Sequence, residues 1–135
     1  MTNSITISGA IIADPELRFL DSGAALTELT VSVVTGKKKD GEQYAPSALV
    51  NVTCWNSDYT KLAENVAESY RKGDRVLVVG KIVEDRWEDK DTGAKRSKLK
   101  VTAFEVAADT SYAVVKVAKN ERTDARSTNQ SEPSF

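Results

Sequence analysis

Val50-Asn51-Val52-Thr53-Cys54-Trp55 runs into Asn56-Ser57-Asp58-Tyr59-Thr60-Lys61-Leu62-Ala63-Glu64-Asn65-Val66-Ala67-Glu68-Ser69-Tyr70-Arg71-Lys72-Gly73, and the apolar period changes on the way. Val50, Val52 and Cys54 alternate with Asn51, Thr53 and Trp55, the period of a half-buried strand. Beyond it, Tyr59, Leu62, Ala63, Val66, Ala67 and Tyr70 fall on a single helical stripe. Ser57 is the expected N-cap, its hydroxyl accepting from an orphan amide. Gly73 suits a left-handed C-terminal cap.

Upstream, Ile5 to Ile11 alternates in the same way, and Leu29, Val31 and Val33 alternate with Thr30 and Ser32, giving two more strands. Asp14-Pro15 and Asp21-Ser22-Gly23 are turn chemistry, and Lys37-Lys38-Lys39-Asp40-Gly41 reads as a basic loop. Downstream, Arg75 to Val83 is rich in β-branched residues and is expected to be a strand buried on both faces, with Gly80 a bend or bulge. Asp91-Thr92-Gly93 signals a hairpin leading into a fifth strand through Leu99, Val101 and Ala103. Tyr112 to Val117 is read as one further short extended segment. From Lys119 the chain turns polar, and a disordered tail is expected. Short strands with one helix after the third are what a five-stranded Greek-key barrel needs, so the fold class is all-β.

The bulk numbers bound what such a barrel can do. A chain of 135 residues holds one modest domain, and its 40% hydrophobic share can fill a small core. No stretch of eighteen apolar residues is present and Met1 to Ser4 lack the build of a secretory signal, so no membrane partner and a cytoplasmic location are expected. The single cysteine and the absence of histidine exclude most zinc sites and all histidine-based acid–base schemes. No nucleophile–base pair or phosphate-cradling glycine loop is visible, so neither an enzyme nor a cofactor is expected. Nineteen Lys and Arg against twenty Asp and Glu give a net charge of −1, so any polyanion site must come from local patches.

Several phrases then resemble the bacterial single-stranded DNA-binding proteins. These are Asp14-Pro15-Glu16-Leu17-Arg18-Phe19 closed by Ser22-Gly23; Leu62 to Ala67 followed by Arg71-Lys72-Gly73-Asp74; Val79-Gly80-Lys81-Ile82; and Arg86-Trp87 before Asp91-Thr92-Gly93. Order and spacing agree across residues 4–106, and Ser111 to Val117 resembles an extra segment of one bacterial branch. The resemblance implies an OB-fold, a homotetramer, sequence-tolerant binding of single-stranded DNA in replication, recombination and repair, association with the nucleoid, and no catalysis. It divides the chain into a DNA-binding domain at 1–106, an extra strand or extension at 107–118 and a disordered tail at 119–135.

Unpaired DNA offers phosphates and bare base faces, so a sequence-blind binder combines cations with aromatic rings. Trp55 shares a strand face with Asn51 and Thr53, where an indole is either a stacking platform or packed on the following helix or a loop. Trp87 stands beside Arg86 among four acids; it either contacts a base or covers the barrel or a subunit interface. The resemblance implies stacking at both tryptophans and a basic contact at Arg86. Lys37, Lys38 and Lys39 form the densest basic run, either a phosphate track or a solvated loop. The family usually has an aromatic near this loop, where Tyr44 is the nearest candidate, and a tryptophan where this chain has Leu49. Lys98 and Lys100 share an outward face with Phe104, a further stretch of groove or an ordinary solvated face. Arg18 either touches phosphate or pairs with Asp14 or Glu16. Glu84 and Asp85 stand where relatives are often basic or neutral, which implies weaker or retuned binding. At the terminus, Glu132-Pro133-Ser134-Phe135 keeps Pro133 and Phe135 of a partner-docking tip for replication and repair proteins, without its acid cluster. The competing readings are an OB-fold assembly subunit without DNA affinity and an RNA binder.

Overall fold

The computed structural model describes residues 1–36, 40–41 and 47–121. Six strands and one helix follow in the order β1 (Ile5–Ile11), β2 (Glu16–Phe19), β3 (Ala25–Val34), β4 (Ser47–Trp55), α1 (Leu62–Ser69), β5 (Arg75–Glu88) and β6 (Lys95–Ala108). Strand order is β1-β5-β6-β4-β3-β2, and a β1–β3 pairing through Ala10↔Ser32 and Ile11↔Val31 closes five of the strands into a ring. The other closing seam is the short parallel pairing of β4 and β6 at Val52↔Val101 and Thr53↔Thr102. This is the expected all-β barrel of five strands. β2 is an addition, hydrogen-bonded to the free edge of β3 from Glu16↔Glu28 to Phe19↔Ala25.

Alternation fills the interior. Ile11, Leu29, Val31, Val52, Cys54, Val76, Val78, Val101 and Ala103 meet inside the ring, and Val66 closes one end from the helix. Thr27 is buried, and its hydroxyl donates to the carbonyl of Ala63 at 2.6 Å, tying β3 to α1. Burial pushes the Cys54 thiol up to about 12. Two glycines permit close strand approach. A Cβ on Gly9 would run into the backbone of Ser32, and one on Gly80 into the backbone of Thr102.

Four details differ from the sequence expectations. The helix begins at Leu62, and the amides of Ala63 and Glu64 are met by the side-chain oxygen of Asn56 at 2.9 and 3.3 Å. Ser57 instead caps the preceding turn, accepting from the amides of Tyr59 and Thr60. Gly73 does adopt a positive φ of 93°, but in the turn that follows the helix, where its amide donates to Ile11. β5 buries one face: Val76, Val78 and Gly80 point inward while Leu77 is open, because sheet covers only that side. Tyr112 to Val117 forms no strand; the stretch from Ala113 to Asn120 lies along α1, fastened by Arg75 over the Tyr112 ring and by the Asn65–Asn120 side-chain bond.

The expected bulge is present, a register shift between Val79 and Gly80 that leaves Phe104 without a partner residue on β5. Beyond it β5 and β6 leave the barrel as a two-stranded arm closed by the turn at Asp89–Ala94. The side chain of Asn3 bonds both backbone groups of Ile82, at 2.9 and 3.0 Å, at the base of this arm. Among the described residues no helix is long and apolar enough to cross a membrane.

Candidate nucleic-acid interface

Register places the candidate side chains on one surface. Residues directly opposite each other on neighbouring strands share a face, and successive residues along a strand alternate. Arg18, Leu26 and Trp55 form one row across β2, β3 and β4. The next row is Glu16, Glu28, Thr53, Thr102 and Lys81, crossing from β2 to β5. Counting outward along the arm by twos, the pairs Val83↔Lys100, Asp85↔Lys98 and Trp87↔Arg96 face the same way. Trp55 and Trp87 therefore stand on one wall, with Arg18, Lys81, Lys98, Lys100 and Arg96 between and around them.

Neither indole is in the interior: Trp55 is 37% exposed and Trp87 44%. The Lys98 ammonium lies 5.9 Å from the centre of the Trp87 ring, a cation–π distance that steadies the ring and keeps a positive charge at its face. On the same wall a shallow groove of about 340 Å³ runs over Glu28, Thr30, Asn51, Thr53, Asp85 and Lys100, with Arg18 and Lys98 at its sides. Its floor is polar, with the Thr30 hydroxyl bonded to Asn51 at 3.1 Å.

The cations of this wall and of the arm are largely paired. Arg18 binds Glu28 across the β2–β3 pairing at 2.5 Å, not the nearby Asp14 or Glu16. Asp14 is itself engaged, accepting from the Lys72 amide. Lys100 approaches Asp85 at 3.7 Å, and Arg96 approaches Asp89 at 3.1 Å. Hydrogen bonds from the Asp91 amide and then from Arg96 lower the Asp89 pKa.

Arg86 belongs elsewhere. The pleat turns it to the face opposite Trp87, beside Glu84, whose carboxylate accepts from its Nε and raises its pKa. Adjacent positions in a strand cannot serve one surface, so Arg86 and Trp87 are not brought together. Arg71 is spent on the end of the helix, its guanidinium donating to the carbonyls of Ala67 and Tyr70. Leu49 shares the Trp55 face and is open, as is Phe104 at the bulge. Lys37, Lys38, Lys39, Tyr44, Pro133 and Phe135 lie outside the described residues. The segment between β3 and β4 leaves from the Val34↔Ser47 end of the two strands, far along them from the Leu26↔Trp55 end. Sequence reasoning missed Lys81, Arg96, Asn51 and Glu28. Counting by twos back from the Asp91-Thr92-Gly93 turn would have found the first two.

A five-stranded barrel with a helix between β4 and β5, carrying rings and cations on one wall, is an OB-fold. Comparison with known proteins narrows this. Residues 2–109 match the model of the Single-strand binding protein family. The "Single-stranded DNA-binding protein" of Mycobacterium tuberculosis is 38% identical over 127 residues, covering 89% of this chain and 72% of that protein. The protein of the same name from Corynebacterium glutamicum is 36% identical over 126 residues, covering 88% of this chain and 52% of its own length. "Single-stranded DNA-binding protein 2" of Streptomyces coelicolor is 38% identical over 122 residues, covering 85% and 57%. The chain belongs to the Single-strand binding protein family.

Proposed function

We propose that this chain binds single-stranded DNA without sequence preference and without catalysis, stacking bases on Trp55 and Trp87 while cations of the same wall hold the phosphates. One observation carries the reading: both indoles are open on a single face, with Lys98 over one ring and Arg18 in the row of the other. Stacking on an indole accepts any base because every base has a π-face, so such a wall reads strandedness and not sequence. A duplex hides those faces and gains nothing from the rings.

Lys98, Lys100, Lys81 and Arg18 serve as the phosphate contacts. Lys37, Lys38 and Lys39, with Tyr44, extend the track on the loop between β3 and β4. Arg86, on the reverse of the arm, reaches DNA where the strand wraps round the arm's edge. The binding unit is residues 1–106, with 107–118 an extension and 119–135 a tail whose Pro133 and Phe135 form a reduced docking tip for replication and repair proteins. The working form is a homo-oligomer, a tetramer by family habit, coating exposed strands in the cytoplasm at the nucleoid during replication, recombination and repair. The family match and the relatives' names support this reading.

Titration with dT oligomers, followed by intrinsic fluorescence, tests it. The expected result is quenching that saturates, weakens with salt, and is reduced in Trp55→Ala and Trp87→Ala. Unchanged emission with no salt-sensitive binding refutes it.

A further inference from the structure

We propose that Glu28 and Asp85 set the preference of this chain for single-stranded over duplex DNA by occupying phosphate sites of its own binding wall. The inference rests on the stacking wall described above and concerns two residues that wall does not otherwise use. Both carboxylates line the groove of that wall, and each holds a cation of the groove: Glu28 holds Arg18 and Asp85 holds Lys100. All four side chains are reachable from solvent, with 54% and 55% exposure at Arg18 and Glu28 and 23% and 44% at Lys100 and Asp85.

A phosphate that approaches Arg18 or Lys100 meets a resident competitor. A small counterion would depart on binding, and its release would favour the complex. A carboxylate fixed to β3 or β5 cannot depart. It stays within a few ångströms of the incoming phosphate and repels it, by roughly 1 kcal/mol at 4 Å in water. The two carboxylates therefore subtract from the electrostatic part of binding.

That subtraction falls unequally on the two forms of DNA. Non-specific duplex binding is almost wholly phosphate attraction, because the base faces are stacked away. A single strand adds base–indole stacking, and its flexible backbone can set its phosphates clear of the two fixed carboxylates, which the stiff phosphate array of a duplex cannot do. Lys98 fits this division of labour: it sits over the Trp87 ring and makes no ion pair among the described residues, so its charge stays with the stacking platform. The preference then depends on anions placed in the site as much as on the rings.

The experiment compares dT30 with a 30-base-pair duplex on the full chain, as wild type, Glu28→Gln/Asp85→Asn, and Asp109→Asn. Asp109 pairs with Arg75 outside the groove, so its variant controls for losing a paired carboxylate away from the groove. The double variant is expected to bind both DNAs more tightly, with duplex gaining about fivefold more than dT30, the factor that roughly 1 kcal/mol corresponds to. Its duplex salt slope is expected to steepen by about one to two. Asp109→Asn is expected to keep the wild-type ratio. Both changes are near-isosteric and exposed, so loss of the fold does not stand between the variant and its readout. An unchanged dT30-to-duplex ratio in the double variant overturns the inference while the stacking wall stands. A wild type that binds neither polymer overturns both.

Discussion

The first and second halves of β5 are the same strand under opposite rules. From Arg75 to Gly80 burial alternates cleanly, with Val76 and Val78 wholly enclosed. Beyond Gly80 no β5 residue is buried, and even Ile82 and Trp87 are exposed. The first half is held by the core it helps to make. The arm is held by its ladder to β6, by cross-strand pairs, by the turn at its tip and by the Asn3 bonds to Ile82 at its base, each a small contribution. Stability is thus concentrated in the barrel, and the proposed ligand contacts lie in the arm and the adjoining wall, so each should be alterable with little effect on the other.

Substitutions in the barrel and on the arm test that separation. Ile11→Ala, in the barrel, should lower stability by about 2–5 kcal/mol in urea unfolding, while the affinity of the folded fraction for dT changes little. Trp87→Ala, on the arm, should do the reverse. It should weaken dT binding by about 1–3 kcal/mol, a magnitude known for this class of protein and not read from this structure, with the unfolding midpoint held. A midpoint that falls with Trp87→Ala as far as with Ile11→Ala would erase the distinction. Thr27→Val, which removes the buried bond to Ala63, should cost about 1–3 kcal/mol of stability and no affinity.

Cys54 supplies a pH test confined to the barrel. Its thiol ionises near 9.0 when unfolded and near 12 when buried. A folded value above the unfolded one means the contribution is full below about 9.0 and is lost as pH rises toward about 12. Wild type should therefore lose stability relative to Cys54→Val over that window, and a thiol reagent should label the native chain only as fast as it unfolds. The smallest effect is expected at Leu99→Ala on the reverse of the arm, within about 0.5 kcal/mol by urea unfolding.

The same boundary separates what was readable in the sequence from what was not. Wherever one face is enclosed, as in β1, β3 and β4, alternation announced the strand, and the switch of period at Tyr59 announced the helix. β2 gave no such signal because all four of its residues are exposed, so no contrast between faces marks it. The helix start was misplaced because its cap comes from Asn56, several residues upstream, while the local candidate Ser57 closes a turn of its own. At the site, the rings were legible as polar-face tryptophans. Their company was not: Arg18 finds Glu28 ten positions away through strand pairing, and Arg86 is turned from Trp87 by the pleat. Both are facts of register, and register follows only once the hairpin turns are fixed.

The amide clasp between Asn3 and Ile82 ties the residues ahead of β1 to the arm that carries the proposed stacking ring Trp87. It grips the arm where the arm departs from the ring, so on the proposed reading its loss should loosen how Trp87 is presented. Fusions joined there with no spacer, or truncations that delete the asparagine, should slacken that hinge and blunt affinity, leaving the folded body intact. Tags for functional work on this protein therefore need a linker long enough to leave the clasp closed.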